Sequence, residues 1–195
     1  MTRKKKNLPV KKKKVIYCEG KCEAVYFTML KRKYQGGKLI KIKSVNEGAD
    51  GCVRLAINDT EKDISKKYVV CDVDDHTNQD IDSLLKMCKK HKIDILFSNV
   101  CFEVWILSHY EPLSSDVSLE REELYRRLEN HMNIESYVRF KGNKYDDYLY
   151  DKVQIAARNV DLLRTKIAGD NPQYCNPYTS ISGDLLKEIF DTQNL

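Results

Sequence analysis

The chain has 195 residues, 42% of them hydrophobic and 32% charged, which is enough apolar material for a core and enough charge to solvate its surface. A wholly disordered chain is thereby excluded. The length is that of one domain, with room for a small appendage, and no apolar run approaches the ~18–20 residues of a bilayer span.

The net charge of +5 conceals an asymmetry: residues 1–14 hold eight basic and no acidic residues, which leaves the rest of the chain with 26 basic and 29 acidic ones. A mildly acidic body is therefore expected to carry a basic, flexible tail over 1–14. Such a tail suits either salt-dependent contact with nucleic acid or solvation alone. No apolar segment follows the N-terminal lysines, so no signal peptide and no membrane partner are expected. Seven cysteines, several inside apolar runs such as VIYCE and YVVCDVD, read as reduced, buried residues of a cytoplasmic protein. Cys18 and Cys22 have no second pair at finger spacing, which disfavours structural zinc.

In chain order, Val15–Glu19 reads as a short buried strand and Gly20 as a turn. Residues 23–34 follow as a helix with Ala24, Phe27 and Leu30 on one face. Leu39–Val45 alternates apolar and basic residues, as an edge strand does. Residues 53–66 read as a helix. Tyr68–Val73 is the most β-prone run. Residues 79–91 form an amphipathic helix with Ile81, Leu84, Leu85 and Cys88 inward. Ile93–Phe97 is a further strand, and Ser98 or Asn99 can cap the helix after it. Strands alternating with helices through residue 110 predict an α/β core over 15–110, an open and mostly parallel sheet flanked by helices. From residue 111 onward only helices are expected, over 118–131, 151–168 and 178–190. They form a C-terminal helical extension, 111–195, packed on the core.

In such a sheet, function gathers at the carboxyl ends of the strands. The first predicted strand ends in Glu19-Gly20 and the third in Asp72-Val73-Asp74-Asp75-His76. The fourth ends in Ser98-Asn99, with Glu103 just beyond. Taken alone, the Asp-rich stretch reads first as a turn with a helix cap. Three acidic or polar strand ends together point instead to one rim of carboxylates. Their mutual repulsion is relieved by a hard divalent ion, Mg²⁺ or Mn²⁺. The period of two in Asp72-x-Asp74 lets both side chains grip one ion, which can then polarise a phosphate. Glu103 either adds a metal position or complements its helix dipole.

The segments IYCEGKCEAVYFTMLK (16–31), VVCDVDDH (69–76), ILFSNVCFEVWILSHY (95–110) and NPYTSISGDLLKEI (176–189) carry a resemblance. A strand ending in Glu-Gly followed by one ending in Asp-x-Asp is the pattern of Toprim domains, found in topoisomerases, primases and OLD-type nucleases. The finer similarity is to the RloB family of Toprim-like proteins from prokaryotic restriction and phage-defence loci. The resemblance implies a Toprim-like sheet and a Mg²⁺-dependent phosphodiesterase. By that resemblance Glu19 is a metal ligand or general acid/base, Asp72 and Asp74 the metal-binding pair, Asp75 a further metal ligand and His76 a catalytic residue at the end of the same segment, and Glu103 an additional catalytic and metal-binding acid. Glu23 matches the family's second glutamate. Cys22 stands where Thr is usual, Val100 where Pro is common, and Tyr178 where a smaller residue is usual. None of these departures removes a carboxylate.

His76 suits a general base or a structural loop position equally. His109 reads as packed, and His91 and His131 as surface residues. The stretch Tyr137–Tyr150 mixes basic and aromatic residues. Arg139, Lys141 and Lys144 could hold phosphates while tyrosines stack on bases, or the tyrosines could simply pack. A lysine near the acids would stabilise transition-state charge, with Lys141 or Lys144 the choice.

The expected function is a Mg²⁺- or Mn²⁺-dependent nuclease of abortive-infection defence, acting on RNA such as tRNA by family analogy. DNA nicking, or a non-cleaving nucleic-acid or nucleotide sensor, are the alternatives. No P-loop motif is present, so any energy-dependent trigger would come from a partner protein of the defence locus.

Overall fold

The structure, a computed structural model, describes residues 12–35, 39–73, 76–167 and 171–195. Strand β1 (Lys13–Cys18) leads into helix α1 (Lys21–Lys33), edge strand β2 (Ile40–Ser44), helix α2 (Gly48–Asn58) and strand β3 (Ile64–Asp72). Helix α3 (Asn78–Lys90), strand β4 (Ile93–Asn99) and the short helix α4 (Glu103–Leu107) follow. Beyond them come α5 (Arg121–Met132), α6 (Tyr137–Phe140), α7 (Asp146–Leu149), α8 (Val153–Lys166), strand β5 (Tyr178–Thr179) and α9 (Gly183–Phe190).

The five strands form one sheet in the order β2-β1-β3-β4-β5. The first four are parallel, with Ile16 opposite Tyr68 and Val70 opposite Leu96, and β5 runs antiparallel to β4. The expected α/β class with a mostly parallel, helix-flanked sheet is the one observed. Period-two alternation divides the strand side chains between two cores. Ile16, Cys18, Tyr68, Val70 and Leu96 face α1 and the helices after β4. Val15, Tyr17, Val69, Cys71 and Phe97 face α2 and α3. Burial on both faces explains why β1 and β3 read as continuous apolar runs.

Three sequence expectations are corrected. The helix predicted over 53–66 is α2, ending at Asn58, and β3 already begins at Ile64. Lys66 and Lys67 sit in that strand because their stems carry the ammonium groups to partners outside it, Lys66 to Asp94 at 2.7 Å and Lys67 to the Asp59 carbonyl at 2.7 Å. The second half is not purely helical: Thr179 and Tyr178 pair with Ser98 and Asn99, so the helix predicted from 178 begins at Gly183, where the Ser182 hydroxyl accepts from the Leu185 N–H. The C-terminal bound of the tail expected over 1–14 is corrected, since Lys13 and Lys14 belong to β1; residues 1–11 lie outside the described residues.

The later helices pack on the sheet. Leu124, Leu128, Leu163, Leu186 and Ile189 share one core with Ile16 and Trp105. The Asn159 amide donates to the Ser108 carbonyl at 2.8 Å.

Candidate active site at the carboxyl ends of the strands

The strand order reverses between β1 and β3, because β2 lies on one side of β1 and β3 on the other. The crevice at such a reversal is the usual ligand position of an open α/β sheet. Glu19 ends β1 and Asp72 ends β3, and the Asp72 N–H donates to Glu19 Oε2 at 3.0 Å, directly across that crevice.

Two more carboxylates are delivered by helix starts. Glu23 lies in the first turn of α1, where its Oε2 accepts from the Gly20 N–H at 3.0 Å. This is the acidic half of a capping box, and it turns the carboxylate back toward the strand end. Glu103 opens α4 and is 1% exposed. Asp72 Oδ1 accepts from the Phe102 N–H at 2.7 Å, which ties the end of β3 to the start of α4.

The four carboxylates feel one another. Burial, then the charges of Glu23, Glu103 and Glu19, push the Asp72 carboxyl well above the usual range. Burial and the neighbouring Glu103 and Glu19 raise Glu23 to about 7. Of the expected site residues, Glu19, Asp72 and Glu103 are thus gathered at one rim. Asp74 and Asp75 lie outside the described residues. His76 stands beside Thr77, the N-cap of α3, where its charge acts on Asp80.

Lys141 enters from the extension. Its Nζ is 3.0 Å from Glu103 Oε1 and donates to the Tyr125 hydroxyl at 2.9 Å. Burial works against the ammonium, yet Glu103 and Tyr125 outweigh it and hold the lysine charged. Lys144 is exposed, and Arg139, 80% exposed, lies 3.8 Å from Glu135. The tyrosines flanking them are buried or half-buried. Tyr137 and Tyr145 are fully buried and share a hydroxyl contact at 3.0 Å. Those two side chains pack rather than offer a stacking platform. His109 is packed, as expected, against Tyr26 and pushed by burial to about 4. His131 is exposed, as expected, with its Nε2 2.7 Å from Glu111 Oε2 and its ring stacked on Tyr110.

The donor chemistry suits a hard divalent ion, being all oxygen and electrostatically crowded. Among the described residues, however, no group of three or more His, Cys, Asp or Glu side chains closes around a single point. Glu19, Glu23 and Asp72 each have an oxygen on a backbone N–H, and Glu103 faces Lys141. Those partners hold the carboxylates around the crevice rather than at its centre.

Sequence reasoning passed over Tyr125 as a site residue and read Glu23 chiefly through resemblance. Glu23 had a signal, its position three residues after the turn glycine. Tyr125 had none, because only the fold brings α5 to Lys141.

The model of the RloB-like protein family matches residues 14–189. The chain belongs to the RloB-like family. The match runs from β1 into α9, so the sheet, the carboxylate rim and the extension bearing Lys141 are all within the RloB-like region. No curated protein matches the chain, and no solved structure does.

Proposed function

We propose that this RloB-like chain is a Mg²⁺- or Mn²⁺-dependent nuclease with a Toprim-type site, cutting phosphodiester bonds of RNA, tRNA among the candidate substrates, in abortive-infection defence within the cytoplasm. The observation that supports it most is the meeting of Glu19, Glu23, Asp72 and Glu103 at the strand-order reversal, with burial first and then the other three pushing the Asp72 carboxyl well above its usual range. Glu23 and Glu103 are buried at this rim and Glu19 and Asp72 half-buried; such crowding costs stability, and a fold retains such a cost where it serves binding or chemistry.

Glu19, Asp72 and Glu103, with Asp74, would hold the cation, which when bound supplies charge neutralisation and Lewis acidity to a phosphate oxygen. Glu23, titrating near neutrality, is suited to take or return a proton at the attacking water or leaving oxygen. Lys141 supplies a fixed positive charge beside Glu103 where negative charge grows on the phosphate. Lys144 and Arg139, solvent-facing on the same segment, suit flanking phosphates. An activating partner protein from the same locus would supply the trigger.

The test is incubation of wild type and Glu19→Gln with total RNA and supercoiled plasmid in Mn²⁺, followed by mapping of cut ends. RNA cleavage at least about a hundredfold slower in the variant is expected. Nicking of plasmid alone would select the DNA reading. Equal products from both proteins, or none from either, would remove this site as a nuclease.

A further inference from the structure

Lys141 reaches the rim from the turn that closes α6, where the Asn143 N–H donates to the Phe140 carbonyl at 2.9 Å. Its side chain is 34% exposed, whereas that of Glu103 opposite is 1% exposed. A partly exposed ammonium facing a buried carboxylate is expected to close onto it, because a desolvated charge is costly to leave unpaired. That closure is incomplete. Nζ stands 3.0 Å from Glu103 Oε1 but off the hydrogen-bond line, so that Oε1 is shielded from solvent and accepts no hydrogen bond. The ammonium donates instead to the Tyr125 hydroxyl at 2.9 Å. We infer that Tyr125 is a positioning residue: its hydroxyl holds the Lys141 ammonium off Glu103, which keeps the charge free for the phosphate. The inference rests on the nuclease reading above and deepens it at Lys141.

The first argument is placement. Tyr125 follows the fully buried Leu124 in α5, and its ring packs on that of Tyr137 with centroids 5.2 Å apart. Tyr137 is in turn fixed, with its N–H donating to Glu129 Oε1 at 2.8 Å and its hydroxyl 3.0 Å from that of Tyr145. The lysine meets the oxygen of Tyr125 rather than its ring face, since Nζ is 2.9 Å from the hydroxyl and 5.1 Å from the ring centroid. A phenylalanine at this position would therefore keep the packing and lose the contact.

The second argument is chemistry. Burial and the charge of Glu103 raise the Tyr125 hydroxyl above its ordinary range, so it stays protonated at neutral pH. A neutral acceptor aims an ammonium without cancelling its charge, which a second carboxylate would do. An ammonium carries three donors. With one of them on Tyr125, the others are left for Glu103 and for an incoming phosphate oxygen. Lys141 answers charge that grows during the reaction, so its placement bears on turnover more than on substrate binding.

The experiment compares wild type, Tyr125→Phe, Lys141→Met and the double variant, all as the full chain. Tyr125→Phe should melt within about 3 °C of wild type. It should lower kcat for RNA cleavage in Mn²⁺ about tenfold, with KM changed less than about twofold. In the Lys141→Met background the same substitution should change kcat less than about twofold, because a residue that acts through Lys141 has nothing left to position. An equal loss in both backgrounds, no loss in either, or a loss matched by a large fall in melting temperature would overturn the role. A second readout needs neither cleavage nor metal. It is the heteronuclear NMR signal of the Lys141 ammonium in EDTA, assigned by its absence from Lys141→Arg, which keeps a positive charge beside Glu103. Tyr125→Phe should shift that signal, and this measurement decides alone if Lys141→Met does not fold. If wild type cuts neither RNA nor plasmid while the signal shifts, the cleavage reading falls and the hold of Tyr125 on Lys141 stands. If RNA is cut and the signal is unchanged in Tyr125→Phe, the positioning role falls alone.

Discussion

At the rim Asp72 places a half-buried carboxylate charge beside three others, and burial and those neighbours raise its carboxyl well above the usual range. Asp72→Asn removes that charge and keeps an oxygen to accept the Phe102 N–H. The variant is expected to melt above wild type without metal and to show none of the Mn²⁺-induced rise expected of wild type, both read from thermal melts. Glu23 gives a pH signature. Its carboxyl, raised from 4.5 to about 7 by burial and by Glu103 and Glu19, keeps its proton in the folded state where the unfolded chain has lost it. Folded protein binds more protons across that window, so this group's contribution to stability falls as pH rises from about 4.5 to about 7. His109 acts oppositely: lowered from 6.5 to about 4 by burial, it costs stability as pH falls through that range. A difference between two proteins isolates Glu23. Glu23→Gln should gain on wild type across the window, by about 3 kcal/mol at most for a shift of this size, measured by urea unfolding at stepped pH. Glu19, Asp72 and Glu103 were legible as candidates because strand ends and helix starts are local signals. Lys141 was named for its charge alone, and its place beside Glu103 needed the fold.

Among the elements, helices with clean periodicity were readable, and α1, α3 and β4 lie close to where the apolar spacing put them. The failures have local causes. The start of α2 holds two glycines, Gly48 and Gly51, whose weak helix propensity hides the helix. Strand β3 begins with Ile64-Ser65-Lys66-Lys67, which looks polar because the partners of its lysines are on other elements. Strand β5 has two residues, defined only by pairing with Ser98 and Asn99. The turn between α6 and α7 is an equally tertiary feature, because Gly142 combines a left-handed backbone with the overlying Lys21 stem. Gly142→Ala is expected to cost about 1 kcal/mol or more, read from the shift of the urea midpoint.

For the whole molecule, the extension is part of the core. Trp105, Tyr26 and Leu30 are fully buried in company with Leu124, Leu163 and Ile189. The start of β1 is also tied to the far end of the chain, with Lys14 Nζ 2.7 Å from Asp191. A chain ended after Tyr110 would expose one side of the sheet. It should show no cooperative thermal transition by circular dichroism, whereas the full chain melts in a single step. This packing is also what carries Lys141 and Tyr125 to the carboxylate rim. The extension thus completes the site chemically as well as covering the sheet.

The sequence alone determined the fold class and the end of the sheet where acids collect. Those follow from short-range rules: alternation along strands, periodicity along helices, and caps at their starts. Tertiary structure decided which groups face one another. Lys141 meets Glu103, and Asp146 meets Arg32 across 114 residues of chain. Such contacts depend on how helices pack over the sheet, and no local pattern of residues encodes them.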